Sequence, residues 1–197
     1  MLVVPNEQGQ IDTSQVDIVF VSDMFVEDYV GGAELTTEAL IESCPVRVLK
    51  LRSQQINLEV IQNLTNSYWI FGNFSSMSHE LIPTIVANLK YSVLEYDYKY
   101  CKYRSPEKHE KSENKPCDCH NDMHGKMISA FYYGATALWW MSEAQQEKYH
   151  SMFPFLAERT NVVLSSVFND KFFLDVKLLN NLRGNKERKG WIVLGSN

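Results

Sequence analysis

The chain has 197 residues, 45% hydrophobic and 22% charged, with a net charge of −5 at pH 7. That length and balance suit one sizeable α/β domain, or one domain with part of another, and exclude a disordered chain. The acidic balance offers no field for nucleic acid, no apolar run approaches the ~20 residues that span a bilayer, and MLVVPNEQGQ is no secretory signal; a soluble cytoplasmic protein is expected.

Residues 1–15 read as a polar lead-in. Val16–Val21 is apolar at nearly every position, as in a central parallel strand covered on both faces. It ends at Ser22-Asp23, and Gly31-Gly32 opens a helix over about Ala33–Glu42 that stops before Pro45. Strand, loop, glycine pair and helix start is how α/β proteins bring backbone N–H groups up to an anion. The same pair also serves simply to turn a corner. Glu34 either holds a ligand hydroxyl or compensates the helix dipole.

Val46–Leu51 reads as a second, more peripheral strand, and Asn57–Asn63 as a weak helix with Leu58 and Ile61 inward. Ser67–Gly72 is a third strand, rich in aromatic and β-branched residues. After the loop Asn73–Ser76, Ser78 is placed to cap a helix over His79–Leu89, with Pro83 delaying or bending it. Tyr91–Tyr96 is the fourth strand. A polar insertion over 99–125 follows, then a helix over Lys126–Gly134 and a fifth strand over Ala137–Met141. Ser142 and Gln145 fit a capping box for Glu143–Met152. Asn161–Ser165 is a sixth strand, Phe172–Leu182 a helix, Arg183–Lys189 a charged linker and Gly190–Ser196 the opening of a further strand.

This alternation implies a Rossmann-like, mostly parallel sheet with helices on both faces. Ligands in such sheets sit beyond the carboxyl ends of the strands. The rim so defined holds Ser22-Asp23 with Gly31-Gly32, Asn73-Phe74-Ser75, Tyr96-Asp97 and Ser142-Glu143. An Asp in the place of Asp23 also commonly caps a turn. Trp139 and Trp140, adjacent on a strand, must point to opposite faces. Tyr96, Tyr98, Tyr100 and Tyr103 either line a groove for sugars or cover the base of the insertion. Lys99, Lys102 and Arg104 either meet an anion or lie in a solvated loop.

Within the insertion, Cys101, Cys117, Cys119 and His120 make a Cys₃His set suited to a tetrahedral structural zinc. The rival readings are a Cys101–Cys117 or Cys101–Cys119 disulfide and plain reduced thiols.

Four stretches together resemble the N-terminal half of retaining GT-B glycosyltransferases of family 4. These are Gly-Gly-Ala-Glu at Gly31–Glu34, VLEYDYKYC at Val93–Cys101, GATALWWMSEAQQEKY from Gly134, and NVVLSSVFNDKFF from Asn161. The resemblance implies transfer of a hexose from a nucleotide-diphosphate sugar to a sugar or glycan acceptor, with no metal needed for chemistry. Gly31, Gly32 and Glu34 would then face the donor's diphosphate and sugar, and Tyr96 and Asp97 would stand where the family has His-Asp. By the same likeness 16–182 forms the acceptor-side domain, and 183–197 a linker and the first strand of a donor-binding domain. The alternative is a non-catalytic Rossmann-like binding or assembly module stabilised by zinc.

Overall fold

The computed structural model describes residues 1–4 and 11–184. Its contacts divide the chain into two units, 1–167 and 168–197.

The first unit is a six-stranded sheet in which every pairing is parallel. In chain order it runs β1 (Ile18–Ser22), α1 (Gly32–Ser43), β2 (Val48–Arg52), α2 (Leu58–Asn63), β3 (Tyr68–Phe71), α3 (Ile82–Asn88), β4 (Lys90–Glu95), α4 (Pro106–Glu113), α5 (Met123–Gly134), β5 (Ala137–Trp140), α6 (Glu143–Met152) and β6 (Thr160–Val163). The spatial order is β2-β1-β3-β4-β5-β6. The α/β, Rossmann-like reading therefore holds, and β2 is peripheral as expected. Strand direction of travel reverses at β1, so the crevice between the carboxyl ends of β1 and β3 is the place where such sheets bind ligands.

Alternation along the strands splits the core. Val19, Val21, Trp69, Phe71, Tyr91, Val93, Leu138 and Trp140 pack against Ile61, Ile85, Ile128, Phe131 and Tyr149 from α2, α3, α5 and α6. Phe20, Ile70 and Leu94 face the other way, toward Ile41 of α1, with Trp139 partly buried beside them. Trp139 and Trp140 thus take opposite faces, and Trp140 is the core member. The aromatic centre is tight: Tyr91 stacks on Phe131 at 4.8 Å, and Phe71 meets Phe131 edge-on at 5.1 Å.

Several local expectations change in detail. Residues 1–4 do not simply lead in: Leu2 bridges Val48 in parallel, adding backbone pairing beside β2. In α2 only Ile61 is buried, while Leu58, the first helical residue, is 54% exposed. Ser78 makes no side-chain cap; a 3₁₀ turn over His79–Leu81 precedes α3, which starts with Pro83 in its first turn where a missing N–H costs nothing. Ser142 does cap α6 by accepting from the Gln145 N–H, but the Gln145 side chain reaches Met141 N instead of closing the box. The expected strand at Gly190–Ser196 lies outside the described residues.

The second unit, described by itself, is α7 (Asp170–Arg183), capped by the Asn169 side chain, with Phe168 stacked on Phe172 at 4.3 Å. No helix among the described residues is long and apolar enough to cross a membrane.

Candidate functional site

The rim expected from strand ends is physically assembled, and one side chain assembles it. Arg104 sits in a left-handed backbone conformation (φ 58°) in the turn after β4, a conformation unusual for a residue with a Cβ. Its guanidinium donates to Asp97 through Nε (2.6 Å), to Asn73 Oδ1 (2.6 Å), to Ser75 Oγ (3.1 Å) and to Asp23 (3.4 Å). It therefore ties the carboxyl ends of β1, β3 and β4 to one another. Gln145 of α6 adds the fourth loop by donating to the Asp97 carbonyl (2.8 Å).

Asp23 is the second tie. Its carboxylate accepts from Ser53 Oγ, Ser75 N (3.0 Å), Ser75 Oγ (2.6 Å) and Ser76 N (3.0 Å). Burial opposes its charge, but these bonds outweigh burial and hold its pKa below the ordinary 3.8. The bonds cross from β1 to the loop after β3, so they stitch together the mouth of the crevice. Asp97 is likewise occupied: burial raises its pKa, while Lys99 (3.5 Å) and Arg104 lower it further.

Behind Asp97 the fully buried Glu95 gathers the Lys99 ammonium (2.7 Å), the backbone N–H of Asp97 (2.9 Å) and of Lys99 (3.4 Å), and the hydroxyls of Tyr132 and Tyr149. Burial pushes its carboxyl upward and the Lys99 charge opposes that. Nothing in the residue pattern singled out Glu95. An acidic residue inside an apolar strand, followed at the i+4 position by lysine, was the available signal.

Of the residues expected to act, Tyr96 directs its hydroxyl to Thr37 Oγ1 of α1 (2.7 Å), and burial drives its pKa upward, so it stays a neutral phenol. Tyr98, Tyr100 and Tyr103 cover the base of the insertion: Tyr98 stacks on Tyr149, Tyr100 meets Tyr149 edge-on, and Tyr103 lies against His109.

The glycine pair is different. Gly31 is the N-cap of α1 and Gly32 its first residue. A Cβ on Gly31 would meet Glu34 Oε2 at 2.6 Å and the Tyr29 ring at 2.8 Å, so a side chain there would have to displace these two side chains. The Glu34 carboxylate thus folds back on its own helix start, where the dipole favours it. Beside Gly32 there is open space. Among the described residues no carbonyl takes the Gly31 or Gly32 N–H groups.

The insertion is not structureless. Ser105 caps and Pro106 opens α4, and this helix carries His109 back over Cys101. The side-chain atoms of Cys101, His109, Cys117 and Cys119 lie within 4.8 Å of one another, three of the residues buried. His109 Nδ1 is 3.7 Å from Cys101 Sγ and 3.2 Å from Cys119 Sγ. In a tetrahedral zinc site with Zn–S bonds of about 2.3 Å, ligand atoms stand ~3.8 Å apart. The donor set and spacing fit a metal of that kind. None of the cysteines is joined in a disulfide. Burial pushes the Cys117 and Cys119 thiols above their ordinary pKa, so metal binding there must displace protons.

One expected ligand is corrected. His120, adjacent in sequence to Cys119, is turned away by the 3₁₀ turn Cys119–Asn121 and lies near Phe153. His109 takes its place. The local signal was Ser-Pro ahead of a histidine one turn into a helix. Gly125 completes the support: any side chain there would collide with the Cys119 carbonyl, so α5 can lie against the cysteine loop only with glycine at that point.

Fold and site together define a parallel, Rossmann-like α/β protein with a Cys₃His cluster that could hold a metal beside its strand-end rim. No family model matches the chain, and no curated protein matches it in sequence.

Proposed function

We propose that this chain supplies the acceptor-side half of a nucleotide-sugar-dependent glycosyltransferase, with Cys101, His109, Cys117 and Cys119 holding a structural zinc. The observation that carries the transferase reading is the start of α1: amides of Gly31 and Gly32 without carbonyl partners, at the carboxyl edge of a central strand, with open space at Gly32. Such groups, aligned with a helix dipole, suit a diphosphate, and fixed dipoles aimed at a departing diphosphate lower the barrier to sugar transfer. The zinc reading rests on the four convergent soft ligands, all supplied by protein and leaving no position for water.

Amide resonances followed during titration with UDP-glucose and GDP-glucose test the first reading. Shifts at Gly31, Gly32 and Ala33 are expected. Gly32→Ala, which meets no neighbouring atom, is expected to fold normally and abolish them. Unmoved amides with both nucleotides would overturn the reading.

A second reading has its own support. Asp23 is consumed by internal partners and Asp97 is tied through Oδ2 to Arg104, and Tyr96 cannot serve as an imidazole would. On that reading the domain is a non-catalytic binding or assembly module, and nucleotide sugars leave every rim amide unmoved.

A further inference from the structure

A cavity of about 230 Å³ lies between the loop after β3, the 3₁₀ turn before α3, the start of α5 and the cysteine-bearing loop. Its polar lining is Ser75, His79, Lys99, Lys102, Arg104 and His124, with no carboxylate among the described residues that line it. Three permanent cations face one small hollow, and the carboxylates that pair with them stand outside its lining, so the hollow itself presents positive charge to an anion.

The six groups divide by what they have left to offer. Every Arg104 nitrogen is already engaged with Asp23, Asn73, Ser75 or Asp97, so Arg104 contributes a fixed positive charge and no spare donor. Lys99 is held in place by Glu95 and Asp97. Lys102 is half-exposed, and its pair with Glu113 (2.9 Å) is of the surface kind that a better acceptor displaces. His79 has no hydrogen-bond partner among the described residues and rests on His124 at 5.2 Å, whose Nε2 donates to the Lys99 carbonyl. Two movable donors, Lys102 and His79, thus face a field that buried partners hold rigid. The volume is below the ~300–1,000 Å³ of pockets for drug-sized ligands, too small for a whole nucleotide sugar.

We infer that this cavity binds the phosphoryl group of a small phosphomonoester, with Lys102 and His79 as its direct donors and Lys99 and Arg104 as its fixed charge. Assigning that phosphoryl group to the transferase's acceptor rests on the function proposed above. Binding of the anion itself does not.

Isothermal titration of the zinc-loaded chain with inorganic phosphate, glucose 6-phosphate, glucuronate and glucose tests it. Glucose 6-phosphate and phosphate are expected to bind, glucuronate more weakly and glucose not at all. Lys102→Gln is expected to weaken glucose 6-phosphate about tenfold, the size of one charge-assisted hydrogen bond, and His79→Asn to weaken it less. Raising salt should weaken binding in the wild type. Neither substitution touches the core, so both variants should keep the wild-type circular dichroism spectrum.

No saturable heat at ligand concentrations up to about 20 mM, equal binding of glucose or glucuronate, or affinity unchanged in both variants would each overturn the inference. Gly32→Ala separates the two proposals. It should leave glucose 6-phosphate binding intact while losing the nucleotide-sugar shifts; in the wild type, an inert nucleotide-sugar titration alongside intact phosphate binding removes the transferase reading and keeps the pocket. The reverse pattern removes the pocket alone.

Discussion

Two regions share the carboxyl-end rim of this sheet and are built on opposite principles. At the strand ends beside the cysteine-bearing segment most polar groups are engaged: Asp23, Glu95 and Arg104 each satisfy several partners internally, and Asp97 is bonded through Oδ2 while its buried Oδ1 has no hydrogen-bond partner among the described residues. The start of α1 is left open, with bare amides and vacant space beside Gly32. A group whose hydrogen bonds are already made gains little from a ligand, whereas an unpaired amide or a loosely paired lysine gains a whole interaction. On the two proposals above, ligand affinity on this rim belongs to the glycine pair and to Lys102 and His79, while the conspicuous carboxylates hold the scaffold in shape.

The largest break in that contrast should come from the proposed metal ligands. Cys119→Ser, or chelation of the metal, is expected to lower Tm by roughly 15 °C, at ~2–4 °C per kcal/mol for a chain of this size. Loss of amide protection over 98–124 in hydrogen exchange should accompany it. Zinc content measured by elemental analysis should fall from one equivalent per chain, and His120→Ala should leave it unchanged. Zinc lost in His120→Ala but retained in His109→Ala would reverse the assignment.

Next in size is Glu95→Gln. It removes the nearer carboxylate from the buried Lys99 ammonium and leaves it only Asp97 at 3.5 Å, which should cost about 3 kcal/mol in chemical denaturation. A cost under about 1 kcal/mol would mean that water reaches this network.

Asp23→Asn sharpens the comparison through pH. Because the folded-state pKa of Asp23 is depressed below 3.8, its contribution is present above the unfolded value and is lost as pH falls through the folded one. The variant should be about 1–2 kcal/mol less stable at pH 7, and the two proteins should converge as acid protonates the Asp23 carboxyl. A gap that stays constant across the titration would show that the charge is not what matters.

Smallest is Gly32→Ala, expected to change stability by within about 0.5 kcal/mol although its methyl would stand in the open space beside the α1 amides. A large destabilisation there would contradict the open space beside that residue.

How much of this was readable beforehand depends on the range over which each determinant acts. The strands and most helices followed from runs such as Val16–Val21 and caps such as Ser142, because apolar periodicity and capping act within a few residues. Loops after the strands were correctly expected to form one rim, since parallel topology alone brings carboxyl ends together. For the metal set, adjacency in sequence favours His120 beside Cys101, Cys117 and Cys119. The geometry of α4 chose His109 instead. Glu95 went unnoticed because its partners Tyr132 and Tyr149 arrive from α5 and α6, far along the chain.

By itself the sequence determined the alternation of strands and helices, hence a parallel sheet with a ligand-facing edge, because those choices are made by local propensity and burial pattern. Only the tertiary structure decided which polar groups on that edge are used up and which remain free. Hydrogen-bond satisfaction depends on atoms meeting within about 3 Å, and residues as distant as Asp23 and Arg104 acquire that proximity only when the sheet has formed.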